Sequence, residues 1–123
     1  MNSIVSGRCL CGASRYEFSN DVKFAIRCYC RDCQQISGGG HLPQIAVPSE
    51  AFSPRGNVKT YQTKSDAGNT VEVSFCGDCG SPLYKATSKM PDVKFLCAGS
   101  LAVDLVDEPF QKVFEDCRRV WDM

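Results

Sequence analysis

The sequence predicts an all-β domain, and three observations carry that expectation. Short stretches of alternating or β-branched residues recur along the chain, about eight of them. Gly, Asn, Asp and Pro separate them at turn-like intervals. Only residues 31–36 offer anything helical, and Ser37-Gly38-Gly39-Gly40 breaks that segment after about one turn. Strands this short and evenly spaced imply sandwich-like or folded antiparallel sheets in one unit over residues 1–123.

Taken in order, Arg8-Cys9-Leu10-Cys11-Gly12 is a turn, with Gly7 and Gly12 as hinges on either side. Residues 13–18 alternate loosely as a strand, and Asn20-Asp21 turns the chain. Residues 23–28 alternate polar and apolar up to Cys28. Residues 42–47 form a further strand limited by Pro43 and Pro48, and Ser49-Glu50-Ala51-Phe52 caps a short turn. Residues 58–63 and 70–75 make a hairpin around Ser65-Asp66-Ala67-Gly68-Asn69. The second arm ends in Phe75-Cys76-Gly77-Asp78-Cys79-Gly80, and strands over 82–86, 93–98 and 110–114 complete the set.

Composition excludes several classes of function. Fourteen basic residues balance fourteen acidic ones and are scattered, so no broad field attracts nucleic acid or membrane. No apolar stretch approaches membrane-spanning length, and residues 1–12 lack the basic start and apolar core of a signal peptide. A soluble cytoplasmic protein is expected.

The nine cysteines depart from ordinary usage. Cys-x-Cys and Cys-x-x-Cys pairs are too close to brace a fold as disulfides, but they present two sulfurs to one ion. Cys76-Gly77-Asp78-Cys79-Gly80 has the spacing of a zinc knuckle, whose turn needs glycine and aims amides at the sulfurs. A redox-active dithiol is the other reading of Cys76 and Cys79. Cys9 and Cys11, on their own Gly-flanked turn, are the natural second pair for a closed four-thiolate zinc. Such a site crosslinks distant parts of the chain.

Cys28-Tyr29-Cys30-Arg31-Asp32-Cys33 then remains, three thiols within six residues. Three protein ligands and an exchangeable fourth position are the arrangement of catalytic zinc. Cys97, in an apolar strand, reads as an inert buried thiol, and Cys117 has no placement. Three thiolates make zinc a weak Lewis acid, poor for hydrolysis and suited to a soft ligand such as a substrate thiol. Binding would lower that thiol's pKa and ready it for attack on a carbonyl carbon. Arg27 and Arg31 flank the cluster, either to offset charge and pair with a substrate carboxylate or as solvated surface charges. The amides from Ser37 and Gly38 through Gly40 form either an anion nest or a plain turn.

Gly7-Arg-Cys9-Leu-Cys11-Gly12, the Cys28 to Gly38 motif with Cys30, Cys33 and Ser37, Phe75-Cys76-Gly-Asp-Cys79-Gly80-Ser-Pro82-Leu83-Tyr84, and Ala98-Gly99-Ser100-Leu101 occur in that order. Together they resemble the glutathione-dependent formaldehyde-activating enzyme family, which also includes a vertebrate centromere protein. The resemblance implies an Mss4-like all-β fold with two zinc ions, one at Cys9, Cys11, Cys76 and Cys79 and one at Cys28, Cys30 and Cys33. It also implies condensation of glutathione with formaldehyde to S-hydroxymethylglutathione, a carbon–sulfur lyase activity. The family commonly has His where this chain has Tyr29. The single histidine, His41, follows the glycine run and can approach the site from there.

Three functions compete. One is an enzyme that adds or removes a small aldehyde on a thiol such as glutathione. Another is a non-catalytic zinc module that binds a protein partner. The third is a methionine sulfoxide reductase, which the segment from Lys94 through Cys97 to Ser100 faintly suggests, although its histidine-rich motif is missing.

Overall fold

The computed structural model describes residues 3–106 and 110–122. Its strands are β1 (Ile4–Arg8), β2 (Arg15–Ser19), β3 (Phe24–Cys28), β4 (Leu42–Pro48), β5 (Phe52–Arg55), β6 (Val58–Lys64), β7 (Thr70–Cys76), β8 (Pro82–Thr87), β9 (Val93–Cys97) and β10 (Gln111–Val113). One helix, α1 (Arg31–Ser37), lies between β3 and β4, and short 3₁₀ turns follow β4, β9 and β10. The strands form a three-stranded sheet, β1-β2-β5, and a seven-stranded sheet, β10-β3-β4-β9-β8-β7-β6. No helix among the described residues is long and apolar enough to cross a membrane.

The all-β expectation holds, with ten strands among the described residues where about eight were expected. The first extra strand, β1, buries Val5 and Gly7 while Ile4, Ser6 and Arg8 face outward. Gly7 is therefore a strand residue and not a hinge. A Cβ there would overlap the ring of Tyr16, its partner across the pair, so only glycine fits. Gly12, with φ of 82°, does turn the chain. The second extra strand, β5, contains Pro54. Because β5 is the edge of its sheet, the missing N–H costs no ladder bond. The strand expected over 13–18 begins at Arg15, since the amide of Cys9 donates to the carbonyl of Ser14 and holds that stretch in the preceding turn.

One pairing breaks the antiparallel expectation. β10 runs parallel to β3, with Val113 opposite Cys28. A parallel neighbour cannot be joined by a hairpin, and here α1 and strands β4 to β9 lie between the two in sequence. Phe114, at φ of 57°, ends the strand one residue short of the expected limit.

The main core lies between the sheets. Val5, Tyr16, Phe18 and Phe52 pack from the small sheet against Ile45, Val47, Leu83 and Leu96 from the large one. Phe52 bridges the layers, with ring centroids 5.2 Å from Tyr16 and 4.7 Å from Tyr84. Each such side chain contributes about 1.5–3 kcal/mol by burial. β4 is buried on both faces: Ile45 and Val47 face the main core, while Leu42 joins Cys28, Cys33 and Cys97 in a second cluster under α1.

Candidate metal centres

Two turns build the first centre. After β1 the chain reverses at Gly12, and the amide of Ser14 donates to Cys9 Sγ at 3.3 Å. After β7, the amide of Gly80 (φ 80°) donates to the Cys76 carbonyl at 2.8 Å and that of Asp78 to Cys76 Sγ at 3.4 Å. The sulfurs of Cys9, Cys11, Cys76 and Cys79 consequently lie within 4.8 Å of one another. The Cys9–Cys11 and Cys11–Cys76 sulfurs are 3.6 and 3.8 Å apart. A tetrahedral zinc with bonds of about 2.3 Å needs sulfur separations of about 3.8 Å. The four thiols thus fit a metal ion of that kind, with amide donors in place for thiolates. Cys79 is already held down to about 5, chiefly by the Ser81 hydroxyl 3.2 Å from its sulfur.

The second centre grows from the end of β3. Cys28 ends the strand, and Cys30 caps α1, its sulfur accepting from the Cys33 amide at 3.4 Å. The helix runs seven residues, longer than the expected single turn, and Gly38 at φ of 75° ends it. The cap and the helix's first turn gather the sulfurs of Cys28, Cys30 and Cys33 within 4.8 Å of one another. Cys33 Sγ also accepts from Lys85 Nζ at 3.4 Å and Gln44 Nε2 at 3.7 Å. Crowding splits the thiols. Donation by Cys28 and then Cys33 holds Cys30 down at about 2, while Cys33 is pushed far up, first by Cys28 and then by Cys30. Three sulfurs this close cannot all be anions without a cation among them, so this donor set also suits a metal ion.

The expected accessory residues fall in different places. Arg31 is exposed and donates to Gln34 Oε1. Strand alternation sends Arg27 to the face opposite Cys28, so its guanidinium does not face the sulfurs; its Nε is buried without a partner. Ser37 ends α1, its hydroxyl receiving the Gly39 amide at 3.0 Å. Gly38 serves as the helix's C-cap. His41 lies beside Tyr29, ring centroids 5.0 Å apart, and its Nδ1 sits 2.9 Å from Asp122 Oδ2. Cys97 is buried, and burial pushes its thiol up to about 11, the reverse of what a nucleophile needs. Sequence reasoning missed Gln34, Gln44, Lys85 and Asp122. Lys85 carried a faint signal, a lysine within an otherwise apolar stretch, Pro82-Leu83-Tyr84-Lys85-Ala86; Asp122 carried none.

A groove of about 920 Å³ borders Cys9 of the first centre and extends to Ser37, Leu42 and Cys97 near the second, whose three sulfurs do not line it. Ser37, Leu42 and Cys97 wall one part of it, and the last two pack with Cys28 and Cys33.

The family model described as glutathione-dependent formaldehyde-activating enzyme matches residues 4–117. This chain belongs to that family. The match takes in all nine cysteines, and the family's Mss4-like architecture is the one described above. A crystal structure of a Rhodobacter sphaeroides protein shares the fold, with a TM-score of 0.67 at 19% identity over 88% of this chain and 99% of that one. No curated protein matches the chain at a significant level.

Proposed function

We propose that this member of the glutathione-dependent formaldehyde-activating family is a zinc-dependent enzyme of the carbon–sulfur lyase type. Its reaction joins a thiol such as glutathione to formaldehyde or a related small carbonyl, and reverses that step. One observation carries the reading. Among the described residues the Cys28, Cys30 and Cys33 sulfurs have no fourth Cys, His, Asp or Glu within the cluster, whereas the other cluster has four ligands. The closed set suits structure and the open set suits chemistry.

Cys28, Cys30 and Cys33 would hold the zinc, which would supply a soft position lowering the pKa of an incoming thiol. In the reaction the thiol sulfur adds to the carbonyl carbon, the π pair moves to oxygen, and that oxygen takes the proton the thiol gave up. Lys85 offsets the negative charge at Cys33 and, with Gln44, orients its sulfur. His41, oriented through Nδ1 by Asp122, leaves Nε2 to carry the proton. Two zinc ions, one at each cysteine cluster, and a reducing, cytoplasmic setting belong to the same reading.

The test is cobalt substitution. Millimolar glutathione should change the visible spectrum of the cobalt protein, and no change would sink the reading. A non-catalytic interaction module has one observation in its favour: Phe114, Val120 and Trp121 are exposed on the C-terminal segment. Thiol–aldehyde turnover that disappears in a folded Cys30→Ser variant would exclude it.

A further inference from the structure

Three arginines stand side by side on the small sheet. Arg8 on β1 is the register partner of Arg15 on β2, and Arg15 is the register partner of Arg55 on β5. Direct partners have Cβ atoms about 5 Å apart, and like charges so placed destabilise a sheet. Arg55 has a carboxylate, Glu17 at 2.9 Å. Among the described residues no acidic group pairs with Arg8 or Arg15. Two positive charges are left over.

Both reach the turn that carries half of the four-thiol centre. Arg15 Nε donates to the Gly12 carbonyl at 3.0 Å. Arg8 Nη1 lies 3.2 Å from the point a Cβ on Gly12 would occupy. Gly12 follows Cys11 directly, and its amide donates to the Cys9 carbonyl at 3.3 Å. The two guanidinium groups are thereby gathered at the Cys9–Cys11 turn, and Arg8, Arg15 and Cys9 border the same groove. The facing turn brings one charge of each sign. The Lys59 stem lies against Gly77, and Asp78 accepts from Asn57 Nδ2 at 3.3 Å. That turn leaves the local balance where it was.

A divalent ion held by four thiolates keeps two negative charges, and one held by three keeps a single charge. The four-thiol set fits such an ion, and two unpaired arginines stand at its turn. The three-thiol set has one lysine, Lys85, on Cys33. At each centre the cations equal the charge that loading would leave.

We propose that Arg8 and Arg15 are the counter-charges of the four-thiol centre and set how tightly it holds its ion. The assignment explains why two like charges are kept side by side on one sheet, and it does not depend on the reaction proposed above.

The test reads metal affinity and not turnover. Chelator competition on the full chain, followed separately at each centre, should show the four-thiol centre weakened about tenfold in Arg8→Gln and in Arg15→Gln. The three-thiol centre is the internal control and should not move. Arg8→Lys, which keeps the charge, should stay near wild type. Salt separates charge from packing: at about 1 M salt the gap between the glutamine variants and wild type should close. Arg8→Gln removes a cation that repels Arg15, so it keeps its fold, which circular dichroism checks. Unchanged affinity in both glutamine variants overturns the proposal, and so does a loss that persists in high salt or appears equally in Arg8→Lys. Inorganic phosphate, titrated into the zinc-loaded protein by calorimetry, should bind no better to wild type than to Arg8→Gln. Arginine-dependent phosphate binding with metal affinity unchanged would give the row to an external anion and overturn the proposal as well.

Discussion

The side-chain amide of Gln34 donates to the carbonyl of Cys117 at 3.0 Å, across 83 residues of sequence. The same nitrogen donates to the Tyr29 carbonyl at 2.8 Å, and the Tyr29 amide donates to Val113 at 3.0 Å. One buried carboxamide thereby ties α1, the end of β3 and the C-terminal segment together around the three-thiol centre. Gln34→Ala leaves two carbonyls without their donor and should cost about 1–3 kcal/mol. Urea denaturation measures the loss, and hydrogen exchange should show the Tyr29 amide opening sooner. An unchanged midpoint and unchanged exchange would contradict this account.

Lys85 reaches Cys33 from β8, a strand far from the motif in sequence. Lys85→Met removes that charged donor while keeping a comparable stem. Metal affinity at the three-thiol centre should fall about ten- to a hundredfold, with Lys85→Arg closer to wild type. Chelator competition, read separately for the four-thiol centre, should show no change there.

The two centres should also separate under mutation. The purified protein should hold two metal ions, and Cys30→Ser should hold one while keeping its fold. Cys76→Ser should lose the other ion and much of its stability, because that centre clamps the β1–β2 turn to the β7–β8 turn. Metal analysis with circular dichroism on both variants decides it; equal loss of structure in both would refute the division of roles.

Tyr16 gives a pH dependence with a definite sign. Burial, partly opposed by the hydrogen bond to Ser100 Oγ at 2.6 Å, raises its hydroxyl from 10.0 to about 12. A group raised in the folded state adds stability that is whole below pH 10.0 and lost as pH climbs through about 12. Two units correspond to roughly 3 kcal/mol. Stability of the metal-loaded protein should therefore fall across that alkaline window, and Tyr16→Phe should flatten the fall although it starts lower by about 1 kcal/mol. A parallel decline in both proteins would remove Tyr16 as the cause.

What the sequence made legible was whatever is local. The three thiols of 28–33 need only a helical cap to converge, and each four-thiol pair sits on its own glycine turn, so spacing alone announced them. Alternation disclosed β2, β3 and the β6–β7 hairpin. Pro54 hid β5, because its tolerance depends on an edge position that only the assembled sheet supplies. Gly7 hid β1 in the same way, since what demands it is the Tyr16 ring on the neighbouring strand. Lys85, Gln44 and Asp122 act through contacts made by the finished fold, and no spacing rule reaches them.

β10 is only three residues long, and among the described residues it is the strand that covers the outer side of β3. The opposite margin of the sheet, β6, carries Lys59 and Lys64, charges that discourage another chain from pairing there. β3 has no such charge at Ile26 and Cys28, which Gln111 and Val113 of the C-terminal segment cover. Fraying of residues 111–113 would bare a hydrogen-bonding template beside reactive sulfur. The segment that frames the three-thiol centre is thus also the molecule's guard against strand-to-strand self-association.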